Sequence, residues 1–265
     1  MPARSSLLVC TLLGILVLAA CDRRPPAPRR PRAIVDLSPL LDERTLELQY
    51  GRKAATFFGL DLRLEAEPVV PEDPLRTYGF AYYRLLSHAG AHLDAPSRLL
   101  KNGARPAEVP LERLFGWTRV LDLRWHDRNS PITVTDLENY RVRENEIIVL
   151  HVGYEPPADD EWPRYAYLSE PAAHWLAEKN IRALATDMPS ISDLRTSAEE
   201  MEKGSPPQKI WPAHLPFFER GIPVLEGLVH LEQLIGERRI YLAAFPLAVL
   251  DRSGAPVRAV ALLYD

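Results

Sequence analysis

Between Ser87 and Arg98 the chain reads Ser-His-Ala-Gly-Ala-His-Leu-Asp-Ala-Pro-Ser-Arg, so His88, Gly90, His92 and Asp94 recur at every second position. Alternate side chains of an extended chain share one face, which would turn two imidazoles and a carboxylate toward a common point. A helix would align His88 with His92 but swing Asp94 away, and Pro96 does not suit the interior of a continuing helix. The segment is therefore expected on a strand or an extended loop. Glycine at position 90 leaves no side chain between the converging groups. Two histidines and an aspartate make a nitrogen and oxygen donor set suited to zinc or manganese, and three ligands leave coordination positions open. A polar surface that binds a partner is the competing reading of the same residues.

This pattern resembles the signature of the cyclase / kynurenine formamidase family, His-x-Gly-Thr-His-x-Asp-x-Pro-x-His, with Ala91 in place of the threonine and Arg98 in place of the last histidine. The family's second signature is a histidine followed twelve residues later by a glutamate in a Gly-Ile-Pro-x-x-Glu context. His214 and Gly221-Ile-Pro-Val-Leu-Glu226 match it. Further similarity runs through Val35-Asp-Leu-Ser38, Asn102 to Leu123, Thr186-Asp-Met-Pro-Ser190, Phe245-Pro-Leu and Pro256-Val-Arg-Ala259. The resemblance implies a single α/β domain with a mixed sheet of the swivelling β/β/α type, usually dimeric. It implies His88, His92, Asp94, His214 and Glu226 as ligands of one or two divalent ions, zinc ahead of manganese, with Asp94 and Glu226 able to bridge. It further implies hydrolysis of a C–N bond in a small amide or formamide, N-formylkynurenine being the best-known substrate class, with cyclic amides and lactones as alternatives.

Glu226 is assigned as a ligand and, beside a cation, as the group that accepts a proton from water. In formamidases of this family the histidine at the position of Arg98 is the proton shuttle to the departing arylamine. A guanidinium, with a pKa above ~12, stabilises negative charge but does not give up a proton at neutral pH. Three consequences stay open: another histidine substitutes, the leaving group needs little protonation, or the protein binds a ligand without turnover. Arg98 could instead select a substrate carboxylate through its fork of donors, or be an exposed arginine unrelated to the site. Of the other histidines, His174 and His230 fall in expected helices, and His126 and His151 complete the set, His151 at a strand end being preferred for a site role. Phe57, Phe58, Tyr82 and Trp211 are candidates for pocket walls, with core packing as their alternative.

The elements that must position these residues read as follows. Ala33–Leu37, Arg119–Leu123 and Ile147–Leu150 are apolar, β-branched runs expected as buried strands. Ser169-Glu-Pro-Ala opens a helix, with Ser169 as its cap and an end near Asn180. A second helix is expected over Leu228–Ile235 with Gly236 as its stop. Ile240–Val249 and Pro256–Leu263 are expected to form a hairpin about the turn at 251–254. Strands interleaved with helices indicate an α/β domain, not a sandwich or a bundle.

The chain's start is read separately. Arg4 and the apolar run Leu7–Ala20 have the layout of an export leader, and Leu18-Ala-Ala-Cys21 resembles a lipobox, so residues 1–20 are expected as a lipoprotein signal peptide and Cys21 as the lipidated anchor. Residues 21–32, rich in proline and arginine, are expected as a solvated tether, leaving 33–265 as the hydrolase domain on the periplasmic or extracellular face of a membrane. The only other cysteine is Cys10, so any metal in the mature domain is held by imidazoles and carboxylates. The formal net charge is −4, with no long basic stripe outside the tether, which argues against a nucleic-acid partner; the small-molecule substrate is what the resemblance implies.

Overall fold

Ile147-Ile-Val-Leu-His151 is buried at every position, as a strand covered on both faces must be, and the rest of the sheet is arranged around it. The computed structural model describes residues 30–42, 49–60, 65–68, 81–157, 161–250 and 253–265. The leader, its cleavage site, Cys21, and positions 251 and 252 of the last turn lie outside the described residues, as does the side chain of Tyr82. In chain order the strands are β1 (Ala33–Asp36), β2 (Glu65–Pro68), β3 (Ala81–Arg84), β4 (His92–Asp94), β5 (Phe115–Asp122), β6 (Pro131–Ile132), β7 (Ile147–His151), β8 (Tyr167–Leu168), β9 (Ala183–Thr186), β10 (Val224–Glu226), β11 (Ile240–Pro246) and β12 (Gly254–Leu263). The helices are α1 (Arg52–Phe57), α2 (Val134–Glu138), α3 (Glu170–Glu178), α4 (Leu194–Glu202), α5 (Pro207–Ile210) and α6 (Leu215–Glu219).

The main sheet runs β1-β12-β11-β5-β7-β9-β10-β4, and β4 also pairs with β12, which closes seven of its strands into a barrel. β5, β7, β9 and β10 are mutually parallel, while the strands across the seam are antiparallel. This is the mixed-sheet α/β domain that the sequence predicts, and Arg32–Asp265 forms one compact unit. Arg32, the last residue of the expected tether, is tied to the sheet: it donates its backbone N–H to Leu263 and its guanidinium to Glu237.

Two apolar layers follow from the period of two along each strand. Ile147, Val149, Ala183, Ala185, Leu225, Leu93, Leu242, Ala244, Ala259 and Ala261 fill the barrel interior; the many alanines suit a narrow bore. On the outer face Ile148, Leu150, Leu184 and Val224 pack against the helices through Leu176, Phe217 and Phe218. Residues of β4 and β10 that alternate with Leu93 and Leu225 therefore face the helical layer.

α3 forms where expected. Ser169 Oγ accepts from the N–H of Ala172 and donates to Ile132, and Asn180 follows the helix with φ 53°. Ser169→Ala is expected to cost about 1 kcal/mol, read as a shift in the urea midpoint with unchanged slope. The expected helix over 228–235 is corrected: only Leu231–Leu234 makes a 3-10 turn, because His230 sits at φ 60° and interrupts any helix begun before it. Gly236, at φ 84°, does end that turn. β11 and β12 pair antiparallel as a hairpin, but β11 stops at Pro246, short of Val249, and β12 starts at Gly254, two residues early.

Candidate metal centre

The register across the barrel seam builds the site. In the antiparallel pair β10–β4, Glu226 lies opposite His92 and Val224 opposite Asp94, so the side chains of His92, Asp94 and Glu226 emerge on one face, toward the helices. His214, the residue before α6, enters that space from the helical layer. His88 arrives by a different route from the one expected. It precedes β4 in a turn, and Gly90 adopts φ 61°, which leaves the extended conformation. Glycine is favoured there by this left-handed backbone, not for clearing space between ligands.

All five expected ligands converge. His88 Nδ1 lies 2.7 Å from Asp94 Oδ1, His92 Nε2 is 3.5 Å from both Asp94 Oδ1 and Glu226 Oε2, and His214 Nε2 is 3.1 Å from Glu226 Oε1 and 3.4 Å from Asp94 Oδ2. Two overlapping donor groups result, His88, His92 and Asp94 in one and Asp94, His214 and Glu226 in the other, with Asp94 common to both and the donor atoms of each group within 4.8 Å of one another. His92, Asp94, His214 and Glu226 are buried.

The donor chemistry fits a divalent cation. Nε2 of His92 is buried with no hydrogen-bond partner, and Oδ1 of Asp94 has only the His88 ring nitrogen beside it, at 2.7 Å; a buried imidazole nitrogen left unpaired is costly unless a cation engages it. The other ring nitrogens are already committed: His92 Nδ1–H donates to the Gly90 carbonyl at 2.9 Å, and Ser192 Oγ is 3.1 Å from His214 Nδ1. Such bonds orient a ligating imidazole and fix which nitrogen is free. Burial alone would raise the Asp94 carboxyl, but the Arg98 guanidinium and His88 outweigh it and hold it well below the usual carboxylate range. Burial and Asp94 likewise oppose ionisation of Glu226, yet His214 and His92 bring it to about 2. Burial also disfavours charge on His92 and His214, and their two carboxylates still raise both; His88 is lowered, by burial first and then by Arg98. The centre thus presents two ionised carboxylates in a buried space.

Arg98 belongs to the site, at the end of a 3-10 turn over Pro96–Arg98. Its Nη1 donates to Asp94 Oδ2 and lies 3.2 Å from His88 Nδ1, and its guanidinium stacks 4.8 Å from the Trp211 ring. It is not the exposed, unrelated arginine of the alternative reading. Trp211 in turn meets Phe58 at 5.9 Å between centroids, and Phe58 meets Phe57 at 5.2 Å, so these aromatics form a wall beside the arginine.

The sequence reading missed the support behind the ligands. Gln49 clamps Gly90 from both sides, accepting its N–H at 2.6 Å and donating to its carbonyl at 3.0 Å. Tyr50 donates to the His88 carbonyl at 2.6 Å, and the N–H of Ile191 donates to Glu226 Oε1 at 2.7 Å. No spacing rule ties Gln49 or Tyr50 to position 90. Only Ile191 and Ser192 had a signal, as the continuation of Thr186–Ser190. Gln49→Leu leaves the buried Gly90 N–H unpaired, at a cost of about 1–3 kcal/mol, and is expected to weaken metal binding roughly tenfold or more. Thermal melting and metal titration of the variant would check both.

The remaining histidines stand apart. His174 is exposed on α3, His126 pairs with Asp136 at 3.3 Å, and His230 donates to or accepts from no cluster residue, its Nδ1 meeting the Asp36 carbonyl at 2.9 Å. His151 is buried and pairs with Asp187 at 2.7 Å, not with the metal-type donors, so the preferred substitute for the missing proton donor is not beside Asp94. Among the described residues no helix is long and apolar enough to cross a membrane.

The profile of the Cyclase family matches residues 35–193, which ends before His214 and Glu226. A kynurenine formamidase of Salinibacter ruber is 31% identical over 179 residues, 67% of this chain and 76% of that protein. Another, from Bacillus thuringiensis subsp. konkukian, is 30% identical over 173 residues, 65% of this chain and 75% of its own. Among solved structures, isatin hydrolase A from Labrenzia aggregata superposes with a TM-score of 0.70 at 22% identity, covering 88% of this chain and 94% of that one. With the family profile spanning more than half its length, this chain belongs to the Cyclase family.

Proposed function

We propose that the protein is a metal-dependent hydrolase of a C–N bond in a small amide, with an aryl formamide of the N-formylkynurenine class as the leading substrate. The observation that carries this reading is the convergence of five imidazole and carboxylate side chains in two donor groups that share Asp94, with the buried Nε2 of His92 left unpaired among them. His88, His92, Asp94, His214 and Glu226 would hold zinc, or manganese, as one ion or two. Such an ion, when bound, supplies Lewis acidity, lowering the pKa of water and polarising a carbonyl. Glu226 is suited to take the proton from water through Oε2, since Oε1 already accepts from Ile191 and faces His214. Arg98 opposes negative charge that develops on the carbonyl oxygen, and Trp211 with Phe58 offers a flat surface to an aryl group.

A second reading rests on Arg98 itself. Its guanidinium cannot act as the acid for an amine leaving group at neutral pH, which favours either a cyclic amide or lactone, or a protein that retains ligands without turnover. Metal analysis of wild type and His88→Ala, coupled to assays of N-formylkynurenine and isatin hydrolysis, separates these. Metal lost in the variant together with turnover supports the hydrolase; metal without turnover of either substrate supports the binding protein; and absence of metal from wild type purified without chelator sinks both.

The leader supports a lipid-anchored protein attached through Cys21 and facing the periplasm or the exterior. Mass spectrometry of the mature N-terminus tests this: a diacylglyceryl-modified Cys21 is the expected result, and an intact residue 1–20 segment the contrary one. Family resemblance supports a homodimer, to be read from the mass of the purified protein by light scattering.

A further inference from the structure

A cavity of about 470 Å³ lies beside the C-terminal ends of β7 and β9, behind the Gln49 and Gly227 layer that backs the metal centre. Its size falls within the usual range for small-molecule pockets. Pro39, Tyr154, Pro156, Leu228, Val229 and Leu231 supply flat and aliphatic walls, and the exposed Arg124, Glu155 and Glu232 bring one positive and two negative charges to its rim, besides the buried Asp187. The guanidinium of Arg124 is already engaged, donating twice to Asp122 at 2.7 Å.

One polar group in this cavity is unexplained. His151 is 5% exposed and lines it, and Nε2 of its ring is buried without a hydrogen-bond partner. The opposite ring nitrogen, Nδ1, is 2.7 Å from Asp187 Oδ2. The Asp187 carboxylate is itself gripped by the backbone N–H groups of Val152, Gly153 and Tyr154 at 3.0, 2.9 and 3.1 Å. An ionised carboxylate only accepts, so it places the proton of the neutral ring on Nδ1 and leaves Nε2 with a lone pair. A buried acceptor at a cavity wall, with its tautomer set by a rigidly held carboxylate, is built to receive a donor.

We propose that this cavity is a second small-molecule site, selective for an aromatic ring that carries one hydrogen-bond donor and no negative charge, the donor being received by Nε2 of His151. Flat apolar walls select the ring. An anion is disfavoured because Glu155 and Glu232 outnumber Arg124, whose guanidinium is already paired with Asp122. None of its residues is a proposed metal ligand, and the one it shares with the support of the metal centre, Gln49, is left untouched by the test below.

Titration of phenol and of anisole into the purified full-length protein, followed by saturation-transfer NMR, tests the proposal; anisole keeps the ring and removes the donor. Phenol is expected to bind saturably and about tenfold more tightly than anisole. His151→Phe removes the acceptor and should erase that preference, while Val229→Trp fills the cavity, leaves the His151–Asp187 pair intact and should abolish binding of both. Metal content should be unchanged in either variant. The proposal is overturned by the absence of saturable binding, by equal affinities for the two probes in wild type, or by a phenol preference that survives either substitution.

Discussion

Asp94→Asn is expected to empty the metal centre and to abolish hydrolysis. Asp94 is the one residue common to both donor groups, so its neutralisation weakens every arrangement of ions the site can hold. Lewis-acid stabilisation amounts to several kcal/mol, and at about 1.4 kcal/mol per factor of ten turnover should fall by about a thousandfold or more. A second effect separates this variant from a simple ligand deletion. Asp94 is also the partner of the largely buried Arg98, and breaking such a pair from one side costs about 3–5 kcal/mol. The metal-free Asp94→Asn protein should therefore be less stable than metal-free wild type, whereas a His92→Ala protein, which keeps the ion pair, should lose metal with a smaller loss of stability from this source. Metal analysis and urea denaturation in chelator, run on both variants, would check the distinction. Equal stability of Asp94→Asn and wild type without metal would show that the ion pair contributes little.

Arg98→His is expected to change activity in the opposite direction. The guanidinium contacts Asp94 and His88 and stacks on Trp211, so an imidazole at this position starts beside the reacting atoms. General acid catalysis by a positioned histidine contributes at least about a hundredfold, and formamide hydrolysis should rise by that order. The pH profile of kcat/KM should gain a limb near the ordinary histidine range, about 6.5, that wild type lacks: activity attributable to the acid is present below that value and falls above it. If hydrolysis drops instead, Arg98 acts as an anion-stabilising group in its own right, and the substrate's leaving group needs no proton from this position.

How far the site was legible in the chain varies with the physics behind each residue. The spacing of His88, His92 and Asp94 gave the ligand types and an extended backbone for β4, and the His214 and Glu226 match supplied the other half across the seam. What spacing could not give was the turn that carries His88, because a positive φ at Gly90 depends on Leu41 and Gln49, both far away in sequence. The same limit applies to Gln49 and Tyr50, whose contacts with the motif are tertiary and leave no periodic trace. Local rules served α3 well, since a cap and a proline act within one turn. They failed at 228–235, where Leu228, Leu231 and Leu234 have helical spacing but His230 takes a left-handed conformation, its Nδ1 meeting the Asp36 carbonyl at the end of β1.

The three residues of β4 pair with β10 on one side and β12 on the other, and both partners lie more than a hundred positions further along the chain. Contacts of such long separation form late, because loop closure must precede them. β4, which closes the barrel against both partners, also carries two of the five proposed ligands, so a cation bound there would have no complete site until β4 is seated. Cation binding would then reward only the finished topology and add to its stability by mass action, which would make the proposed centre a latch on the fold as well as the seat of its chemistry.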